Sequence, residues 1–522
     1  MERQQAQQAQ GKRVVARMAA MWMAAMWMAA LLVLLVEAGG VAAAAPRLDY
    51  RLRVADAENH LFHVTIEATQ LDGPTLQVAL PAWTPGWYTI RPYASNVMRL
   101  QAHVAGQRLP LRSLDKQTWQ IDSAGRSALT IEYDYYANNL AVNGSELTAR
   151  RAFFLGTNLF LFVPGQTTGV PTSLTFEMPE GWQVATGLRP AERRHAYLAR
   201  DYDQLVDAPT ILGAFDSYQT RALGKPIRVI LEPQGLLSPE KAAQLTEDLR
   251  QMIESQGRMF GGLPYEDYTI LYVVGGQGGG ALEHENSTNV MLRTMPADPR
   301  ALLGVTSHEH FHVWNVKRLR PAALLPYEYR REQYVRELWM AEGITSYYGD
   351  LHLRRAGLLS TEAYLRGLAG QMQALQRNEA RHWIPLTDAS TVTWLTYGGG
   401  SAFGRFTVNY YGKGELIGLL LDLEIRGATG NRQSLDDVMR TLLAEFAERG
   451  RGYTTEDVEA VASRLTGRSF ASFFAKYVTG TAELDYDAAL AHAGLRLVGG
   501  ELVDLGTVTA AQRALRRGWL GE

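Results

Sequence analysis

Ser307-His308-Glu309-His310-Phe311-His312 carries the spacing His-Glu-x-x-His, two imidazoles four residues apart, at the head of a stretch that reads as helical. On a helix those two positions share a face and can ligate one zinc ion together. Glu309 lies one step round, placed to take a proton from a water that the metal makes acidic. A zinc held by two histidines needs a third protein ligand and one open position. Past His312 the strongest candidate is Leu338-Trp339-Met340-Ala341-Glu342-Gly343-Ile344-Thr345-Ser346-Tyr347-Tyr348. The neighbours of Glu342 are apolar or aromatic, so its carboxylate points into closed surroundings and needs a cation as partner. Glu328, Glu332 and Glu337 compete, but they sit among Arg and Tyr and read as solvated.

Upstream, Gly278-Gly279-Gly280-Ala281-Leu282-Glu283-His284-Glu285 follows an apolar run that ends at Val274. Gly276 to Ala281 formally fits the dinucleotide fingerprint GxGxxA. Glu283 and Glu285 stand where a pyrophosphate needs positive potential, and neither a βαβ unit nor a second strand is expected to follow. A plain flexible loop is a further reading. The preferred one is a substrate platform: glycines such as Gly280 let a backbone approach a peptide, and Glu283 offers a negative charge to an ammonium group. Downstream, Tyr410-Tyr411-Gly412-Lys413-Gly414-Glu415 precedes the apolar helix Leu416 to Ile425. A phenol at a helix start can donate to a developing oxyanion, although a lone Tyr411 is more often explained by packing.

The remaining composition narrows the class. With 46% hydrophobic and 20% charged residues the chain is globular, and a net charge of −2 gives no reason to expect a nucleic-acid partner. Cysteine is absent, so any metal site must be built from His, Asp and Glu. Lys12, Arg13 and Arg17 precede an uncharged run from Met18 to Val36 and a small-residue stretch from Gly39 to Ala45. That order reads as an export signal cut near Ala43 or Ala44, or as an uncleaved anchor, since 19 apolar residues just suffice to span a bilayer. Either way the folded part is expected across a membrane, periplasmic or secreted, with the membrane touched only through residues 18–36.

From about 47 to 215 short alternating runs, such as Leu48 to Val54, His63 to Ala68, Thr75 to Leu80, Thr118 to Ile121 and Leu129 to Tyr136, predict strands separated by turns. A sandwich-like domain follows from them, with Pro81-Ala82-Trp83-Thr84-Pro85-Gly86-Trp87-Tyr88 as an aromatic loop. Near 225 the pattern changes. Ile227 to Leu231 and Tyr268 to Val274 read as strands, and Pro239 to Gln256 as a helix begun by Ser238-Pro239. From 299 most of the chain reads as helix, with capping signals at Ser434/Asp437 and Thr454/Asp457. Beyond Asp485 the pattern fades.

Taken together, HEHFHVWNVKRLRP, LWMAEGITSYYGDL, GGALEHENS and YYGKGELIGLLLDLEIR resemble the glycyl aminopeptidase family of zinc metallopeptidases. PAWTPGWYTIRPYASNV and the stretch from Tyr202 to Pro209 resemble that family's β domain, so the likeness runs from about 47 to 490. The resemblance implies a multidomain α+β fold: a signal or anchor over 1–45, an N-terminal β-sandwich-like domain over 46–220, a thermolysin-like zinc peptidase domain over 221–360, a helical C-terminal part over 361–485, and a tail over 486–522. It implies one catalytic zinc on His308, His312 and Glu342, Glu309 as general base, Tyr411 as oxyanion donor, and Glu283 as holder of the substrate's α-amine. Many members end in a PDZ domain; the 37 residues after Asp485 are too few for one. The expected function is an exported zinc aminopeptidase acting on peptides, with N-terminal Gly or Ala preferred by resemblance. An endopeptidase on the same scaffold and a non-enzymatic peptide-binding or assembly factor are the alternatives.

Overall fold

The computed structural model describes residues 45–396 and 407–522. The export or anchor segment expected over residues 1–45 lies outside them, apart from Ala45. Strands β1 (Arg47–Asp56) and β2 (Leu61–Thr69) turn alternate side chains inward, Leu48, Tyr50 and Leu52 from one and Phe62, Val64 and Ile66 from the other. That period of two is the pleat of a strand with one dry face. Both join an eight-stranded sheet with β3 (Val97–Val104), β4 (Ala128–Tyr136) and β5 (Thr172–Glu177). A five-stranded sheet that includes Arg151–Phe154 and Thr210–Gly213 packs against it, Phe154 meeting Phe62 edge to face. The sandwich-like reading holds.

A second five-stranded sheet carries one wall of the site. Its order is β6 (Asp216–Ala222), β7 (Lys225–Glu232), β8 (Tyr268–Val274), β10 (Ser287–Leu292), β9 (Gly280–Glu283). Strands β7, β8 and β10 run parallel, and β9 is an antiparallel edge. Helix α1 (Pro239–Phe260) crosses between β7 and β8; Ser238 caps it by accepting from the Lys241 N–H, and Gly261 stops it in the left-handed conformation. One sequence expectation is corrected here: a second strand does follow the glycine run, while the βαβ unit lies ahead of it. Strand β9 escapes notice because it is four residues long and begins Gly-Ala, weak strand formers without alternation.

The later helices include α2 (Leu303–Phe311), α3 (Thr345–Arg355), α4 (Tyr410–Thr429), α5 (Leu435–Glu445), α6 (Thr455–Thr466) and α7 (Ala510–Leu520). Both expected capping boxes are formed. The His-Glu-x-x-His run stands at the C-terminal end of α2 and not at the head of a helix, with His312 as the C-cap. The turn before it, Leu303 to Ser307, supplies the apolar residues that anchor the helix. Beyond Asp485 the chain is also more ordered than its pattern suggested. A short helix (Tyr486–His492) and a hairpin (Leu495–Val498 with Glu501–Asp504) lead into α7. Trp519 of α7 is buried, and its indole N–H donates to the Tyr347 hydroxyl at 2.9 Å, which donates to Asp422 at 2.6 Å. The C-terminal helix thereby braces α3. Among the described residues no helix is long and apolar enough to cross a membrane.

Candidate active site

Helix α2 brings His308 and His312 to one face, and the turn that opens α3 brings Glu342 opposite them. The two Nε2 atoms lie 3.0 Å apart, and Glu342 Oε2 stands 3.4 Å from His308 Nε2 and 3.2 Å from His312 Nε2. Tetrahedral bonds of about 2.0–2.1 Å place ligand atoms about 3.3 Å from one another, so this spacing fits one metal ion. The outer nitrogens are tied back: His312 Nδ1 to the Asn315 carbonyl at 2.6 Å, His308 Nδ1 to Ser346 Oγ at 3.3 Å. Those contacts leave each Nε2 turned toward Glu342. Glu328, Glu332 and Glu337 belong to neither metal-capable group among the described residues. Glu337 is nevertheless not solvated; it is buried and accepts from the Thr455 N–H and hydroxyl at the start of α6.

Glu342 lies in a single wide turn, Trp339–Ile344, with i→i+5 geometry. Helix α4 packs directly on that turn through two glycines. A Cβ on Gly414 would stand 2.6 Å from the Trp339 carbonyl oxygen and 2.8 Å from the Gly343 Cα. This close approach sets Tyr411, in the first turn of α4, with its ring stacked on His308 at 5.9 Å. Asn409 caps the helix by accepting from the Tyr411 and Gly412 N–H groups.

Glu283 ends strand β9, and its carboxylate groups with Glu309 and His312, ligand atoms all within 4.8 Å of one another. Burial depresses the His312 imidazolium, but Glu342, Glu283 and Glu309 outweigh it and lift the group to about 10. Burial pushes Glu309 well above the usual carboxylate range, and Glu283 also rises. Three buried carboxylates around one imidazole make a centre that calls for positive charge.

Sequence reasoning missed the groups that hold Glu283. In the turn between Trp83 and Tyr88, Gly86 stands against that carboxylate: a Cβ there would sit 2.6 Å from Oε1. Trp87 flanks Gly280, whose φ of 153° favours glycine, with the nearest indole carbon 3.8 Å from where a Cβ would be. Beneath the strand end, Asp207 accepts from Lys317 Nζ at 2.7 Å and the Glu285 N–H at 2.7 Å, and contacts His284 Nδ1 at 3.1 Å. Burial pulls the Lys317 ammonium down, but Asp207 more than restores it; Lys317 and His284 in turn hold Asp207 below the usual carboxylate range despite burial. The available signal was a lone lysine in the buried run after the motif, Val313-Trp314-Asn315-Val316-Lys317, which needs a partner from elsewhere.

Comparison with known proteins agrees with this geometry. Family models described as the peptidase M61 N-terminal domain and as M61 glycyl aminopeptidase match residues 49–214 and 301–417. A crystal structure of an aminopeptidase N family protein from Idiomarina loihiensis is 30% identical, with a TM-score of 0.80 over 86% of this chain and 78% of that one. Yeast LTA4 hydrolase in complex with bestatin is 14% identical with a TM-score of 0.53, covering 84% and 68%, a likeness of fold. No sequence among the curated proteins matches.

Proposed function

The chain belongs to the M61 glycyl aminopeptidase family and is a peptidase; on that premise we propose that it is a zinc aminopeptidase removing the first residue from peptides with a free amine. The observation that carries this reading is the grouping of Glu283 with Glu309 and His312 within 4.8 Å. An endopeptidase has no use for a buried carboxylate at that reach, whereas an aminopeptidase must grip a terminal ammonium close to the reacting centre.

His308, His312 and Glu342 hold the zinc. When bound, zinc acidifies water and polarises the peptide carbonyl as a Lewis acid. Glu283 receives the substrate ammonium and so sets the register of the peptide. Strand β9 closes the sheet as its edge and so offers backbone groups to an extended chain. Glu309, whose burial favours proton uptake, takes a proton from the attacking water and passes it to the leaving amine. Negative charge grows on the carbonyl oxygen during attack, and the Tyr411 phenol donates to it. The close approach of Gly86 to the Glu283 carboxylate supports a small first residue, Gly or Ala. Export is supported by the basic start and apolar run of residues 12–36.

Metal analysis and a panel of Gly-, Ala- and Leu-peptides with their N-acetylated twins test the proposal. One zinc per chain, loss of activity with a chelator, and no cleavage of acetylated peptides are expected. Acetylated peptides cut as fast as free ones make Glu283 structural and turn the reading to an endopeptidase.

A further inference from the structure

The seam between the β-rich part and the segment that follows α2 holds a cavity of about 260 Å³ whose lining includes none of Glu283, His308, Glu309, His312, Glu342 or Tyr411. Its deeper wall is Lys317, Tyr327 and Tyr329, all buried, and Arg200 is exposed at its rim. Most of its charges are already satisfied. Lys317 pairs with Asp207 at 2.7 Å, and Arg200 with Glu285 at 2.6 Å. Two remain.

Arg320 lies over the Tyr327 ring, its guanidinium carbon 4.1 Å from the centroid, and donates one hydrogen bond to the Lys317 carbonyl at 3.2 Å. It makes no ion pair among the described residues. Asp203 accepts from the Tyr329 hydroxyl at 2.9 Å and likewise makes none. Both line the cavity, and each senses the other's charge from beyond ion-pair distance. A guanidinium has five donors in a fixed fork suited to a carboxylate, and this one commits a single donor to the protein.

We propose that the cavity binds a free α-amino acid, its carboxylate on Arg320 and its ammonium on Asp203. A lone anion beside Arg320 meets repulsion from Asp203, and a lone cation the reverse; a zwitterion satisfies both. The volume falls just under the range for drug-sized ligands, about 300–1,000 Å³, and suits one residue better than a peptide. A free amino acid is also what an aminopeptidase releases, so the inference rests on that reading for the source of its ligand, though not for the geometry.

Calorimetric titration of the full chain with glycine tests it, done in a Glu283→Gln background that removes the amine grip of the catalytic cleft. Glycine is expected to bind there, and Arg320→Gln and Asp203→Asn each to weaken it at least tenfold. Acetate and methylamine are expected to bind at least tenfold more weakly than glycine. Absence of glycine binding, or binding unchanged in both variants, overturns the proposal. Binding that Glu283→Gln alone abolishes places the amino acid in the cleft instead, and acetate matching glycine rejects the zwitterion. Asp203→Asn keeps an acceptor for Tyr329 and decides the matter where Arg320→Gln does not fold. The aminopeptidase reading stands or falls separately, on the acetylated peptides.

Discussion

Gly343 and Gly414 meet backbone to backbone, so the turn bearing Glu342 and the helix bearing Tyr411 touch with no side chain between them. An alanine at 414 forces the two apart, because the obstruction is backbone and not a side chain that can turn aside. Overpacking of this kind commonly costs about 1–3 kcal/mol. Gly414→Ala should therefore lower thermal stability and cut kcat more than KM, by displacing both Glu342 and Tyr411. A variant with parental kcat shows that the spacing of these helices is not critical.

The turn at Gly86 poses the same test on the other side of the site. An added Cβ meets the Glu283 carboxylate, and the φ of 88° strains any side-chain-bearing residue by about 1–2 kcal/mol. Gly86→Ala should raise KM for free-amine peptides at least tenfold and leave zinc content unchanged. Unchanged KM with an intact fold removes this turn from substrate binding.

How much of this was legible in the chain follows from range. The meeting of His308 with His312 could be read because a helix sets the angle between positions four apart, and Glu342 stood out as a carboxylate in an apolar run. The strands β1, β2 and β8 declared themselves by alternation or by a continuous apolar run. Gly86 over Glu283, Asp207 under Lys317 and Trp519 on Tyr347 could not be read, because each joins parts of the chain far apart in sequence and nothing local marks the partner. Strand β9 was lost to its glycine.

Glu309→Gln keeps the shape of the side chain and removes its basicity. The variant should retain zinc and its melting temperature while kcat falls by about 10²–10⁴-fold, the usual contribution of a positioned base. Turnover within tenfold of the parent defeats the assignment of Glu309 as base.

Glu415 offers a pH test outside the proposed zinc site. Burial lifts its carboxyl to about 8, and the nearby Asp350 adds to the effect. The folded state then holds a proton that the unfolded state releases near 4.5, so stability is highest below that value and falls as pH rises toward 8. Glu415→Gln abolishes this slope. It should leave stability near pH 4 almost unchanged and raise it by roughly 2–4 kcal/mol near pH 8–9. Parallel curves of denaturation midpoint against pH for parent and variant refute the assignment.

Lys317 and Asp207 form the last test, because their pair carries both stability and the position of Glu283. Both are withdrawn from water, and removing one partner from such a pair leaves a charge uncompensated, commonly at about 3–5 kcal/mol. Lys317→Met should cost about that much. The double variant Lys317→Met/Asp207→Asn should recover most of it, since no lone charge remains. Activity should not follow stability. Asp207 also accepts from the Glu285 N–H and contacts His284, the two residues that continue the strand from Glu283, and the Lys317 ammonium opposes the upward shift of the Glu283 carboxyl. With both gone, Glu283 loses its support and a cation that favours its ionised form. KM for free-amine peptides should therefore remain raised in the double variant even when its melting temperature approaches the parent's. Recovery of KM together with stability reduces the pair to a packing element and leaves Glu283 to hold its place unaided.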